Sequence, residues 1–195
     1  FPKNMDNKNI ALFLGPNFHH VIYPLNSNGD LNFIAIMKHS LSLDEQGNST
    51  LFSENSFIKK ILENAPSEFK EFFTDIKELK IFPVFVSEEF LKIQNNNIHL
   101  IGDAFFAFPP SFAQGASQSI ESAYDLFMAL NNDKEVNFFK KRVNKSKMVN
   151  SRSKFNLFAF HLSNPFIIFF RNIFLKKLVK NKKFLEYYLG RIYKT

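Results

Sequence analysis

The residues best suited to chemistry lie in one stretch, His99–Leu130, HLIGDAFFAFPPSFAQGASQSIESAYDLFMAL. A short apolar run, Ile98–Leu100, leads into Gly102-Asp103, then a Pro109-Pro110 turn, then Gln114-Gly115 at a helix start. Taken alone, an aspartate at a strand end is an ordinary turn residue. Followed by a glycine-led helix start, it becomes half of a binding arrangement. An ionised carboxylate offers only acceptors and so suits a polyol. A helix start presents unpaired N–H groups and about half a positive charge, which suits an anion or a carbonyl that becomes one. Gly102 lets a ligand approach with no Cβ in the way, and the prolines stiffen the loop between the two halves. In open α/β layers ligands collect at the carboxyl ends of strands, where this turn is expected.

A polyol chain joined to a ring whose edge turns anionic describes flavin. The same residues carry a resemblance. IGDAFFAFPPSFAQGASQSIESAYDL is similar to the Gly-Asp segment of the single-component FAD monooxygenases of the para-hydroxybenzoate and salicylate hydroxylase type. Their pattern is close to G-D-A-A-H-x-x-x-P-x-x-A-Q-G-A-x-x-x-I-E-D-A. Gly102, Asp103, Ala104, Pro110, Ala113, Gln114, Gly115, Ala116, Ile120, Glu121 and Ala123 agree with it at fixed spacing. LFLGPNFHHVIYPL resembles the family's sheet domain, where a Tyr-Pro strand lines the substrate side. The tail, with Arg142, SRSKFNLFAFHLSNP and Arg171-Asn172, resembles the helical C-terminal region of the salicylate-hydroxylase-like members.

The resemblance implies a cofactor, FAD, and a co-substrate, NADH or NADPH. It also implies O₂ and a small aromatic or related hydrophobic substrate that is hydroxylated. Asp103 would hydrogen-bond the ribityl chain, Pro110 would sit by the isoalloxazine, and backbone N–H groups around Gly115-Ala116 would meet the pyrimidine edge, with Gly102 and Gln114 as further cofactor-binding candidates. His20 and Tyr23 are the candidates for the substrate side; no catalytic residue is identified. Two departures from the pattern matter: Phe106 stands where the family has His, and Ser122 where it has an acid. The six glycines, at 15, 29, 47, 102, 115 and 190, form no G-x-G, so the dinucleotide finger of the family is missing from these residues. The expectation is therefore the C-terminal portion of a larger para-hydroxybenzoate-hydroxylase-like fold that lacks its N-terminal Rossmann unit.

The elements that must position these residues read as α+β. NIALFLG, HHVIYPL and LNFIAIM are β-branched or aromatic runs, and the turn NSNGD pairs Val21–Leu25 with Leu31–Met37 as a hairpin. HSLSLDEQGNST reads as a polar loop. Helical spacing follows at Phe57, Ile58, Ile61, Leu62, and again at Phe69, Phe72, Phe73, Ile76, with Ser67 as the second N-cap. IFPVFV reads as extended, and IHLIG as a buried strand. A helix over 113–130 carries apolar Ile120, Ala123, Leu126, Phe127 and Leu130 toward a core. A basic amphipathic helix over 133–150 and one or two more after Pro165 complete the chain. This gives a partial sheet-containing substrate domain over 1–97, the FAD-contacting segment over 98–132 and a helical region over 133–195.

Composition bounds the alternatives. The 195 residues contain 27 Phe and neither Trp nor Cys, which excludes disulfides, thiolate catalysis and Cys-zinc sites. Alternation puts only one of His19 and His20 on the core face, and His161 has no second ligand at useful spacing, so no metal site is expected. Glu121 and Asp125 lie four apart on one helix face and read as structural, paired by Arg or Lys. The net charge of +7 is spread among acids until the densely basic tail, RNIFLKKLVKNKKFLEYYLGRIYKT, so nucleic acid is not the expected partner. FPKNMDNKN has no basic-then-apolar pattern, so no signal peptide is expected in these residues, and no run reaches the ~18 apolar residues of a membrane span. The expected setting is cytoplasmic. Two alternatives stand beside the hydroxylase: a non-enzymatic truncated remnant of one, and a quinone-type hydroxylase in peripheral membrane contact through its basic tail.

Overall fold

A computed structural model describes residues 9–26, 29–63, 79–91, 98–132 and 135–193. The chain divides into two units, Phe1–Phe13 with Phe18–Val84, and Leu14–Asn17 with Phe85–Thr195. The described architecture is mixed α and β, predominantly helical, with one small antiparallel sheet.

In the first unit, β1 (Ala11–Gly15), β2 (Phe18–Pro24) and β3 (Leu31–Met37) form a sheet in the order β1-β2-β3. β2 and β3 are the expected hairpin, in register from Phe18↔Met37 to Pro24↔Leu31. The connection is closed by Leu25 N–H donating to Asp30 O at 2.8 Å, and Gly29 supplies the positive φ of 92° that the turn requires. β2 is the central strand, paired along both edges. His19 and His20 are both buried, at 1% and 3% exposure, where alternation alone implies one, so both faces of β2 are covered at this end.

Two small apolar clusters stabilise this unit. Phe18 packs with Phe33, Ala35 and Met37. Phe52, Phe57 and Ile61 pack with Met37, Leu41, Leu51 and Ile81. Phe57 and Ile61 sit one turn apart on α2 (Asn55–Glu63), on the stripe its spacing implies. The segment read as a polar loop contains a one-turn helix, α1 (Leu43–Gly47). Its cause is a capping box: Glu45 N–H donates to Ser42 Oγ at 3.2 Å, while Ser42 N–H donates to Glu45 Oε2 at 2.9 Å. That bond, and Lys60 Nζ at 3.1 Å, hold the exposed Glu45 carboxyl below its usual range. The helix expected around Phe69–Ile76, with its cap at Ser67, lies outside the described residues.

The second unit begins with irregular chain. Phe82 and Val84 close the first unit, and Phe85 and Val86 open this one; all four lie in nonrepetitive backbone and are exposed. Ile98–Ile101 is not a strand either: Ile98 is 49% exposed, and the segment has no ladder partner among the described residues. An isolated extended segment leaves its backbone groups unpaired, so an apolar run alone does not make a strand. His99 instead lies edge-on to Phe138 at 6.3 Å. Four helical elements follow: α3 (Gly102–Phe105), α4 (Gly115–Leu130), α5 (Glu135–Phe160) and α6 (Pro165–Leu178). A last helical stretch runs through Lys182–Leu185, Glu186–Gly190 and Arg191–Tyr193, its middle portion a π turn.

His20 gives the first unit a pH dependence. It stacks on Phe13 at 4.5 Å and lies among Phe18 and Phe33. Burial pushes its pKa down from the ordinary 6.5 to about 4. The unfolded chain takes up that proton near pH 6.5, whereas the folded chain does not until about pH 4. Stability is therefore complete above 6.5 and falls as pH drops through that window, by up to about 3 kcal/mol. His20→Phe should flatten this part of the profile. Urea midpoints of both proteins at neutral and mildly acidic pH check it; parallel profiles would assign the loss to other groups.

Candidate functional site

The site starts from the conformation of one residue. Gly102 has φ +58°, a region L side chains adopt only at a cost. A Cβ there would lie 2.8 Å from Ser119 Oγ and 3.3 Å from Ser119 Cβ. Glycine is thus required twice, by torsion and by space. Its N–H donates to Ser122 Oγ at 3.1 Å, and Ser122 Oγ donates onward to Ser119 O at 2.9 Å. The Gly102–Asp103 turn is thereby held against the first two turns of α4. Asp103 is the next residue, in the first turn of α3, with its side chain exposed.

Pro109-Pro110 and the 3₁₀ turn Pro110–Phe112 carry the chain back to α4. Ser111 Oγ donates to Ser153 O at 2.6 Å and Asn156 Nδ2 donates to Ser111 O at 3.3 Å, fastening this turn to α5. Pro110 faces solvent. Ala113 has φ +51°, which redirects the backbone into α4. Gln114 occupies the N-cap position but makes no side-chain cap. Its Nε2 donates to Tyr193 Oη at 3.3 Å, while its buried Oε1 meets no hydrogen-bond partner among the described residues. A Cβ on Gly115 would meet nothing within 4 Å, and Ala116 is exposed. The helix start therefore offers uncapped N–H groups to open space, at the end of α4 that also supports Gly102.

What holds α4 is polar. Its buried stripe is Gln118, Ser122, Asp125 and Ala129, whereas Ile120 and Phe127, expected in the core, are 73% and 61% exposed. The cause is Arg142 on α5, 1% exposed. Its Nη1 lies 3.2 Å from Asp125 Oδ2 and 3.3 Å from Glu121 Oε1, and its Nη2 donates to Gln118 Oε1 at 2.9 Å. Lys141 pairs with Asp125 at 2.9 Å and Lys145 with Glu121 at 3.1 Å. The two carboxylates are engaged from both sides, as their spacing implies for a structural pair.

The structure brings Gly102, Asp103, Pro110, Gln114, Gly115 and Ala116 into one unit, around the start of α4. His20 and Tyr23 belong to the other unit, where Tyr23 Oη accepts from Asn32 Nδ2 at 2.6 Å. Phe106, which stands where the resembled pattern has His, is buried: it stacks on Phe90 at 4.5 Å and lies 5.3 Å from Phe108. The contribution of Ser119 and Ser122 was not legible from residue type; only the glycine's need for a neighbour without bulk signals it. His161 caps the end of α5, its N–H donating to Leu157 O at 3.2 Å. Among the described residues no cluster of His, Asp and Glu is arranged to hold a metal ion. No protein-family model matches the chain, and no curated protein matches it.

Two substitutions test this construction. Arg142→Ala removes the cation shared by Asp125 and Glu121 and leaves them only Lys141 and Lys145; it should cost about 3 kcal/mol of stability, read as a lowered urea midpoint. Gly102→Ala should cost about 1–2 kcal/mol from torsion, and more from the clash. Ser119→Gly in the same chain should return the clash component but not the torsional one, which a double-mutant cycle resolves.

Proposed function

We propose that the chain forms the flavin-contacting part of an FAD-dependent, NAD(P)H-using monooxygenase that hydroxylates an aromatic or related hydrophobic small molecule. The observation that carries the reading is the pairing of an exposed carboxylate, Asp103, with the uncapped start of α4. Ser119 and Ser122 fasten the turn that presents Asp103 to that same helix.

Each part fits a different portion of the cofactor. The Asp103 carboxylate accepts hydrogen bonds and so suits ribityl hydroxyls. The N–H groups of Gly115 and Ala116, with the helix dipole behind them, suit a pyrimidine edge that gains negative charge. The unpartnered Gln114 Oε1 is an acceptor beside them, able to receive a ring N–H. Pro110 offers a rigid, apolar surface with no N–H of its own. Bound FAD would supply the redox and oxygen chemistry. The protein residues bind and orient it, and a preorganised dipole aimed at developing charge is the protein's main contribution to rate. The reading requires the ADP half of the cofactor to be held by a segment other than these residues, since they contain no G-x-G. The tertiary position of His20 and Tyr23 in the first unit leaves their substrate role resting on the resemblance.

The whole protein should purify yellow and consume NAD(P)H in the presence of O₂. A charge-assisted hydrogen bond contributes about 1.5–3 kcal/mol, so Asp103→Ala should raise the Kd for FAD by about tenfold or more. Fluorescence titration with FAD measures this. A protein that takes up no FAD would overturn the reading, and unchanged affinity in the variant would remove the role of Asp103.

A further inference from the structure

We propose that α6 and the lysine-rich segment after it lie flat on an anionic lipid surface. The starting observation is an inverted helix. Phe166, Ile167, Phe169, Phe170, Ile173 and Phe174 are 39–71% exposed, while Ile168, Arg171, Leu175 and Leu178 are the half-buried positions. At 3.6 residues per turn the six exposed side chains span an arc of roughly 160°. A helix packed on its own protein core turns such a stripe inward; this one turns it outward.

The orientation is built in. Asn164 Oδ1 accepts from Phe166 N–H at 2.9 Å and Ile167 N–H at 3.3 Å, fixing where α6 begins. Arg171 Nη1 donates to Ala159 O at 3.1 Å, tying the inner face to the end of α5. Burial lowers the pKa of Arg171, yet the group stays charged, as expected for a guanidinium. The outer face therefore cannot roll inward without breaking the Arg171–Ala159 bond.

Length and charge select the occupant. The 14 residues of α6 span about 21 Å, short of the ~30 Å hydrocarbon core. No helix among the described residues is long and apolar enough to cross a membrane. Such a helix can lie in the interface plane, with its apolar face at the headgroup–acyl boundary. The exposed Lys176, Lys177, Lys180, Lys182 and Lys183 follow directly, and no Asp or Glu occurs from Val136 to Leu185. Anionic headgroups complement that run, and each lysine near them strengthens binding roughly fivefold. Lysines can also snorkel from the edge of an embedded helix. A second copy of the chain would instead bring the same lysines together, an unfavourable like-charge contact. A nucleic acid would satisfy the lysines but leave the phenylalanine row in water.

The whole protein is co-sedimented with phosphatidylcholine vesicles and with a two-to-one mixture of phosphatidylcholine and phosphatidylglycerol. Binding to the mixture should be at least about tenfold tighter and should weaken with added salt. F170E/F174E should abolish binding, and K180E/K182E/K183E should abolish the preference for the mixture. All five positions are exposed, so the fold is retained, as circular dichroism checks. Because the chain has no Trp, Phe170→Trp gives a single reporter whose emission should shift to the blue on adding the mixed vesicles. Equal binding to both vesicle types, no binding, or a blue shift that tracks protein concentration without vesicles would overturn the proposal. The last result would assign the face to a second copy. None of these readouts involves flavin, so they succeed or fail independently of the monooxygenase reading.

Discussion

The second unit depends on one buried cation. Arg142, 1% exposed, lies among the carboxylates of Glu121 and Asp125 and the oxygens of Gln118, which offset the cost of burying its charge. A lone guanidinium in a low-dielectric interior costs several kcal/mol, and it cannot shed its proton as a lysine or histidine would. The helix that supplies three partners on one face is therefore constrained in rotation as well as in position. Lys141, half exposed, and Lys145, largely buried, reinforce the same two carboxylates, and the contribution of the exposed Lys141 is the smaller.

That rotation decides what else α4 can do. With residues 118, 122, 125 and 129 turned to α5, Ser119 and Ser122 are brought under the Gly102 turn, and Ile120, Tyr124 and Phe127 are left outside. Two features of the candidate site follow from the same ion network: the support beneath Gly102-Asp103, and the open helix start at Gly115. Small residues make the approach of α5 feasible. Ser146 and Ser153, both buried, face inward near Arg142 and Val149, and Ser153 offers its carbonyl to Ser111. The long helix thus holds the Pro110–Phe112 turn directly, and holds α4, which supports Gly102, through Arg142.

Sequence patterning identified the hairpin, the α2 stripe, the helix start at Gln114-Gly115 and the structural nature of Glu121 and Asp125. Each rests on a local rule: turn chemistry, helical spacing, or the fourfold separation of two carboxylates. It failed where neighbours decide. Ile120 and Phe127 satisfy the spacing of a core stripe, but Arg142, about twenty residues later, competes for the opposite face. His19 and His20 were separated by alternation that applies to a one-sided sheet, whereas β2 is covered on both sides. Ile98–Ile101 has the composition of a strand but meets no ladder partner among the described residues. In each case, local composition alone says nothing about which partner arrives.

The two departures at Phe106 and Ser122 take on a different meaning in this light. Ser122 is the smallest side chain that can accept the Gly102 N–H while donating to Ser119 O. A carboxylate has no proton to donate at neutral pH, so it could not make that second bond, and here Arg142 is already occupied by Glu121 and Asp125. Phe106 is likewise integrated: its ring fills the space between Phe90 and Phe108, and its N–H donates to Gly102 O at 3.0 Å, closing the one-turn α3. A histidine turned into that apolar stack would be held neutral, as His20 is, and would gain no partner there. Both substitutions therefore act on the support of the Asp103 turn. The exposed carboxylate and the open helix start, which face the cofactor in the proposed arrangement, are left as the pattern has them.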